Sequence, residues 1–280
     1  MESQFLNNPQ AEITGFAPDS KVDLATKLKE QADVFRSRLY AAQETIGSKE
    51  FAWYPYDTLA GFSHFDATVT PPYRDIRALS GNAPILDVGC ADGATSFLLA
   101  SLGFEVDAID YAQTNYNGMR GIRALSKHFR SKVNIYSVDL DAQFRLPQEH
   151  YGLVLFLGIL YHLKNPYFAM ERLAHSTRYC FLSTRVARFD PAKAHWIETV
   201  PVAYLVSPTE TNNDSTNYWI FSRAGLCRLF ERTGWEVCSY RHVGNTEDSD
   251  PASSAGDERV FCLLKSKHWQ HEQESSKIAH

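Results

Sequence analysis

The residues Ile85-Leu86-Asp87-Val88-Gly89-Cys90-Ala91-Asp92-Gly93 join the end of an apolar run to the start of a helical one. Gly89 and Gly93 carry no β-carbon, so the backbone there can turn sharply and approach a ligand closely. Amides at the start of the following helix can face polar groups of that ligand. Cys90 lies in the turn and reads as a small buried residue, not a nucleophile. Asp110 ends the next apolar run, with Tyr111 beside it. A carboxylate at that place can accept hydrogen bonds from two ribose hydroxyls. Asp139-Leu140 ends a third run, where the acid can take an adenine amino group and the leucine can cover the ring. Asp87 would repel a pyrophosphate but suits a sulfonium or an amino-acid ammonium. The turn also departs from the dinucleotide spacing Gly-x-Gly-x-x-Gly. The expected ligand is therefore S-adenosylmethionine (SAM) and not NAD.

These residues need a sheet whose strand ends meet at one edge. From Pro84 onward the sequence alternates short apolar runs with helical periods. Strands are expected at 85–88, 105–109, 133–138, 152–157, 179–184, 236–240 and 259–264. Helices are expected at 94–102, 116–129, 167–174 and 223–233, the last capped by Ser222. This succession predicts an α/β, Rossmann-like fold, with a seven-stranded, mostly parallel sheet and helices on both faces. Upstream, residues 21–46 read as a helix, with Leu24, Leu28, Ala32, Phe35, Leu39 and Ala42 on one face and Gly47 at its end. The ring-rich stretch from Phe51 to Phe65 has no clean period and must pack on the main domain or on a ligand. Residues 186–217 carry Pro191, Pro201, Pro208 and a polar run, the pattern of a substrate lid inserted after strand five. The organisation is thus an N-terminal helical and aromatic extension over 1–72, a SAM-binding domain over 73–266, and a polar tail over 267–280.

The turn resembles motif I of the class I SAM-dependent methyltransferases, with Ala91 where glycine is common. In that family Asp110 corresponds to the ribose acid and Asp139-Leu140 to the adenine-contacting pair. Residues from Trp53 to Leu264 also resemble a narrower group, the wobble-uridine tRNA methyltransferase-like enzymes (5-methoxyuridine and 5-oxyacetic acid). The similar stretches are Phe156-Leu157-Gly158-Ile159-Leu160-Tyr161-His162-Leu163, Asn217-Tyr218-Trp219-Ile220-Phe221 and Glu258-Arg259-Val260. The resemblance implies that Gly158 borders the cofactor. It also implies that Tyr161 and Arg259 match two of three residues that hold the extra carboxylate of carboxy-SAM. The third, a lysine, has no counterpart between Trp53 and Phe65. A carboxylate in a dry pocket needs compensating charge, so the expectation is plain SAM and plain methyl transfer.

The expected reaction moves a methyl group to an oxygen, less readily a nitrogen, of a small molecule or conjugated metabolite. An oxygen nucleophile of high pKa needs a base. His162, just past the fourth strand, is the candidate, with packing against a helix as the alternative reading. Tyr161 is assigned to the transfer cleft. Tyr54, His64, Arg185, Tyr218 and Arg259 are candidate substrate contacts, the two arginines for an anionic group. Asn115 and Asn117 either touch the cofactor or form a turn. A tRNA-modifying carboxymethyltransferase and a non-catalytic SAM-binding module are the alternatives.

The balance of charge, −5 at pH 7, gives little long-range attraction to a phosphate backbone and lowers tRNA as a partner. Five cysteines, with no Cys-x-x-Cys pair, read as reduced thiols. Met1-Glu2-Ser3-Gln4 lacks the basic start of a signal peptide, and no apolar stretch has the length of a membrane span. The expectation is a cytoplasmic protein with no membrane partner. No metal is expected, His268 and His271 being read as tail residues. The N-terminal helix is left two roles, covering the cofactor or joining a homodimer.

Overall fold

A computed structural model describes residues 23–269. Residues 1–20 and most of the tail, His271 included, lie outside them. The chain begins with α1 (Leu24–Ile46), α2 (Gly61–Thr68) and α3 (Ile76–Ser80). It then alternates through β1 (Ile85–Val88), α4 (Ala94–Ser101), β2 (Val106–Asp110), α5 (Arg120–Phe129), β3 (Asn134–Ser137) and β4 (Tyr151–Leu157). α6 (Pro166–Ser176), β5 (Thr177–Ala187), β6 (Ala203–Leu205), β7 (Trp219–Ser222), α7 (Arg223–Arg232), β8 (Trp235–Gly244) and β9 (Glu258–Ser266) complete it.

Among the described residues the strands form one nine-stranded sheet, where seven were expected. β3, β2, β1, β4 and β5 run parallel in that order. β9 lies antiparallel along the other edge of β5, and β8 antiparallel on β9. The two additional strands, β6 and β7, come from the expected lid and its exit. They form an antiparallel pair, and β7 joins β5 only at Val186 and Ala187, beyond the end of β4. Three-residue β6 fits between Pro201 and Pro208, which cannot donate to a ladder and so stand outside it.

Side-chain alternation along the strands builds two cores. Tyr179 and Phe181 of β5 face one, Cys180 and Leu182 the other. The first core is roofed by α1 to α5, the second by α6 and α7. Thus α1 is part of the main packing layer, not an appendage. Its buried stripe is Ala25, Leu28, Ala32, Phe35, Leu39 and Ala42, with Ala25 taking the place expected for Leu24. Phe35 of α1 and Phe97 of α4 both meet Phe129 of α5, at ring separations of 5.7 and 5.6 Å. The ring-rich stretch resolves into a 3₁₀ turn at Thr58–Ala60 and α2.

α5 begins at Arg120, later than expected. The Asn115 side chain accepts hydrogen bonds from the amides of Asn117 and Met119, and Met119 has φ 63°, so residues 115–119 form a turn.

A buried ionic knot ties β9 to the insertion. Glu258 is wholly buried and takes two prongs of Arg188, whose Nε and Nη2 approach it at 2.9 and 2.7 Å. Ser249 donates to it, and His242 pairs with it from β8. Arg188 also reaches Glu198, 3.2 Å away. Burial alone would raise the pKa of Glu258, but the hydrogen bonds from His242, Arg188 and Ser249 outweigh it and hold the carboxyl below its ordinary range. Such a group stabilises the fold above the unfolded-state pKa, and that contribution is lost as pH falls through the depressed one. Glu258→Gln removes the buried carboxylate that takes two prongs of Arg188, leaving only Glu198 to match its charge, and is expected to destabilise the protein by about 3–5 kcal/mol in urea unfolding at neutral pH. The difference from wild type should shrink in acid.

Candidate functional site

The carboxyl ends of β1, β2, β4 and β5 and the amino end of antiparallel β9 meet at the edge where open α/β sheets form a ligand-binding cleft. Gly89 has φ 68° and Gly93 φ 80°, both in the left-handed region. A β-carbon on Gly89 would overlap the Ile159 side chain, and one on Gly93 would meet Ile122 and Phe97. The turn therefore has no room for a larger residue at either glycine. Cys90 is buried and its thiol is pushed well above its usual pKa by desolvation, which suits packing and not nucleophilic attack.

Asp87 is buried and accepts from Ser96 Oγ at 2.6 Å. Asp110 accepts from the Ala91 amide at 3.0 Å, the Tyr111 amide at 2.8 Å and Asn115 Nδ2 at 2.9 Å. Asp92 accepts from the Tyr54 amide at 2.6 Å and from Asn117 Nδ2 at 2.7 Å. Burial raises the pKa of all three acids, and the Asp110 charge adds to the rise at Asp87. Asn115 and Asn117 thus act as turn formers and anchors, as one of their two readings had it. The role of Asp92 was not read from the sequence. Nothing in its spacing shows that it holds the segment bearing Tyr54.

Asp139 accepts from the Asp141 amide at 2.9 Å, and Leu140 beside it is buried. Asp141 in turn accepts from the amides of Lys164 and Asn165, which ties the β3 exit to the β4 exit. Gly158 turns out of β4 with φ 74°. The chain then makes a 3₁₀ turn, Leu160–His162.

Tyr161 is buried, and its hydroxyl accepts from Arg259 Nη1 at 3.3 Å. The Arg259 guanidinium also lies 5.6 Å from the centre of the Tyr161 ring. Tyr161 O accepts from the Tyr218 amide at 2.7 Å, pinning the insertion's exit to the turn. His162 Nδ1 lies 3.1 Å from Thr216 O and 3.0 Å from Thr216 Oγ1. Desolvation is the main reason that its pKa lies below the ordinary histidine value; Arg259 adds to it, against Thr216 and Asp214. Burial therefore favours the neutral imidazole.

The Tyr54 hydroxyl is pushed up to about 12, by burial first and then by its neighbours Tyr161, Tyr56 and Asp110. Its ring meets Tyr56 and Tyr116 edge-on. His64 stacks on Phe261 at 3.9 Å, and its pKa is lowered by burial and by Arg241 and Arg259. Tyr54, His64 and Tyr161 thus gather around Arg259 at this edge. Arg185 departs from the expected role. It is 4% exposed, lies 2.9 Å from Asp257 and donates to Ser253 O, so it anchors the 250–257 loop. Its placement follows from the β5–β9 register, which sets Arg185 opposite Arg259 with Asp257 between them.

A family profile described as a methyltransferase domain matches residues 65–240. The chain belongs to that family. A 96-residue stretch is 28% identical to the O-antigen chain terminator bifunctional methyltransferase/kinase WbdD of Escherichia coli, covering 34% of this chain and 13% of that protein. The chain therefore spans a small part of that relative. The N-terminal domain of EvdMO1, solved with S-adenosylhomocysteine and D-fucose, superimposes with a TM-score of 0.54 at 17% identity, over 82% of this chain and 96% of that one. A second structure of that domain, with S-adenosylhomocysteine, gives 0.52 at 18% identity, with 82% and 96% covered. The likeness is one of fold. Among the described residues no helix is long and apolar enough to cross a membrane.

The buried acid of the turn has a measurable signature. Burial, the larger cause, and Asp110 push Asp87 up to about 6. A raised carboxyl pKa gives stability that is fully present below the unfolded value and lost as pH rises through the folded one. From an ordinary value near 4, the loss amounts to roughly 3 kcal/mol by pH 7. Asp87→Asn without ligand should flatten the stability profile between about pH 4 and 7, read by urea unfolding across pH. An unchanged slope would remove Asp87 as its source.

Proposed function

We propose that this methyltransferase uses SAM to methylate an oxygen on a small-molecule or conjugated metabolite, with His162 as the general base. The observation that carries the proposal is the engagement of His162 Nδ1 by Thr216, in a turn shared with Tyr161.

The residues of the turn fit SAM. Asp87, Asp92 and Asp110 bring negative charge to a glycine cradle, which suits a cation and disfavours a pyrophosphate. Asp110 would take the ribose, Asp139 the adenine amino group, and Leu140 one face of the ring. When bound, SAM supplies an electrophilic methyl group on a sulfonium that leaves as a neutral thioether. The protein's own tasks are then to align the acceptor, exclude water and take a proton. A neutral imidazole donating from Nδ1 to the Thr216 carbonyl keeps a lone pair on Nε2. Nε2 takes the acceptor's hydroxyl proton as its oxygen attacks. Tyr54, His64 and Tyr218 would line the acceptor's path.

Carboxy-SAM and a tRNA wobble uridine form the second reading, favoured by the contact of Arg259 with the Tyr161 hydroxyl. Two observations weigh against it. Arg259 already faces Asp257 at 3.3 Å, so its charge is partly matched. The segment from Trp53 to Phe65 offers no lysine to add to it. A cytoplasmic enzyme acting alone or as a homodimer is part of the same proposal.

Calorimetry with SAM and carboxy-SAM side by side tests the donor. The expected result is SAM binding that carboxy-SAM does not exceed and that Asp110→Ala abolishes. A clear preference for carboxy-SAM would make tRNA the substrate to assay, and no binding of either would sink the proposal. The base is tested by S-adenosylhomocysteine release against a panel of hydroxylated small molecules. His162→Gln should lower turnover by roughly 10²–10⁴-fold while SAM affinity is kept.

A further inference from the structure

The insertion does more than border the cleft. Its polar run ends in Asp214 and Thr216, and both connect to His162. Thr216 Oγ1 donates to Asp214 Oδ1 at 2.6 Å, and the Thr216 amide donates to the same oxygen at 2.9 Å. Since the hydroxyl proton goes to Asp214, the Thr216 oxygen presents a lone pair to His162 Nδ1, 3.0 Å away. The Thr216 carbonyl, 3.1 Å from the same nitrogen, can only accept. Both neighbours of Nδ1 therefore require a proton on Nδ1.

The segment that carries these two residues is fastened at both ends. The Thr211 amide donates to Ala252 O at 3.0 Å, and buried Asn217 donates to Thr211 Oγ1 at 2.9 Å. The Tyr218 amide donates to Tyr161 O, one residue before His162. The histidine and its partners are thus tied together by backbone as well as by side chains, although they lie 54 residues apart in sequence.

We propose that Thr216 and Asp214 are positioning residues that fix His162 in its Nδ1–H tautomer, leaving the Nε2 lone pair free for the acceptor's proton. Asp214 acts through the Thr216 hydroxyl, opposing the loss of charge stability that burial imposes on the imidazolium. The role rests on the assignment of His162 as base. The charged and titratable groups facing the ring are Asp214 from the insertion, Arg259 from β9 and Tyr161 from its own turn. Asp214 favours the protonated ring and Arg259 disfavours it. A carboxylate on the insertion thus counters a guanidinium on the sheet, and the balance sets how readily Nε2 takes a proton.

The test is the ¹⁵N spectrum of histidine-labelled full-length protein, with the His162 signals assigned by their loss in His162→Gln. The wild type is expected to show the Nδ1–H form at neutral pH. Asp214→Asn should keep that form, because an amide oxygen still accepts from Thr216, and should move the His162 titration to lower pH. Asp214→Glu should bring it back. Thr216→Val removes the hydroxyl but keeps the carbonyl, so the Nδ1–H form should persist while the His162 titration moves to lower pH, as in Asp214→Asn. A loosened loop alone would lower the melting temperature without this pattern. An Nε2–H ring in the wild type, or spectra unchanged in both Asp214→Asn and Thr216→Val, would overturn the proposal. The spectrum needs no acceptor, so it is judged apart from catalysis. If His162→Gln keeps full turnover, the base assignment falls while the tautomer result stands.

Discussion

Uncompensated negative charge at the end of β1 and β2 is the constraint on which this structure turns. Asp87, Asp92 and Asp110 are stabilised by Ser96, by asparagines and by backbone amides, all neutral donors. Neutral donors lower the penalty of burying a carboxylate without cancelling its charge. Their raised pKa values express what remains. The turn is therefore an electrostatic deficit held in place by good packing. A cation entering it relieves that deficit, and an anion deepens it. Choice of ligand class is in this sense a property of charge balance more than of shape.

The same acids organise the N-terminal part of the chain. Asp92 is bound on one side to the amide of Tyr54 and on the other to Asn117, which also donates to Ala52 O. Arg120 then donates to Glu50 O at 2.9 Å. The ring-rich segment is thereby tied to the glycine turn, and Tyr54 comes near Tyr161 and Asp110. With α1 packed against α4 and α5, residues 23–70 are tied to the same end of the sheet. A division at residue 72 into extension and domain does not correspond to a division of the hydrophobic core.

Much of this was legible in sequence because burial leaves a regular trace. β1 and β4 are buried on both faces and read as plain apolar runs. Gly89, Gly93, Asp87 and Asp110 stand at strand ends, where spacing alone gives their place. The parts that escaped depend on contacts far apart in sequence. β6 and β7 are too short to show a period, and each is defined by the other. Thr216 lies in a run of polar residues that reads only as part of a substrate lid, and only the folded chain brings it to His162. Arg188 and Glu258 look like ordinary charged residues until the β9 edge buries one against the other. The start of α5 was misjudged because the side chain of Asn115 caps a turn that helical periodicity does not reveal.

The two arginines at the cleft show how register divides like residues into unlike roles. Arg185 and Arg259 sit directly opposite on β5 and β9 and share Asp257. Arg185 is buried and also held by Ser253 O, which leaves it with structural work. Arg259 keeps more than a third of its side chain exposed and reaches Tyr161. One carboxylate between two guanidiniums leaves a net positive charge, and it is Arg259 that presents this charge to the cleft. An acceptor or donor with a single modest anionic group could meet it, but a carboxylate brought into the dry end of the pocket would compete with Asp257 for the same nitrogen atoms. That competition, set by the residue two positions before Arg259, is the physical reason for favouring plain SAM over a carboxylated donor.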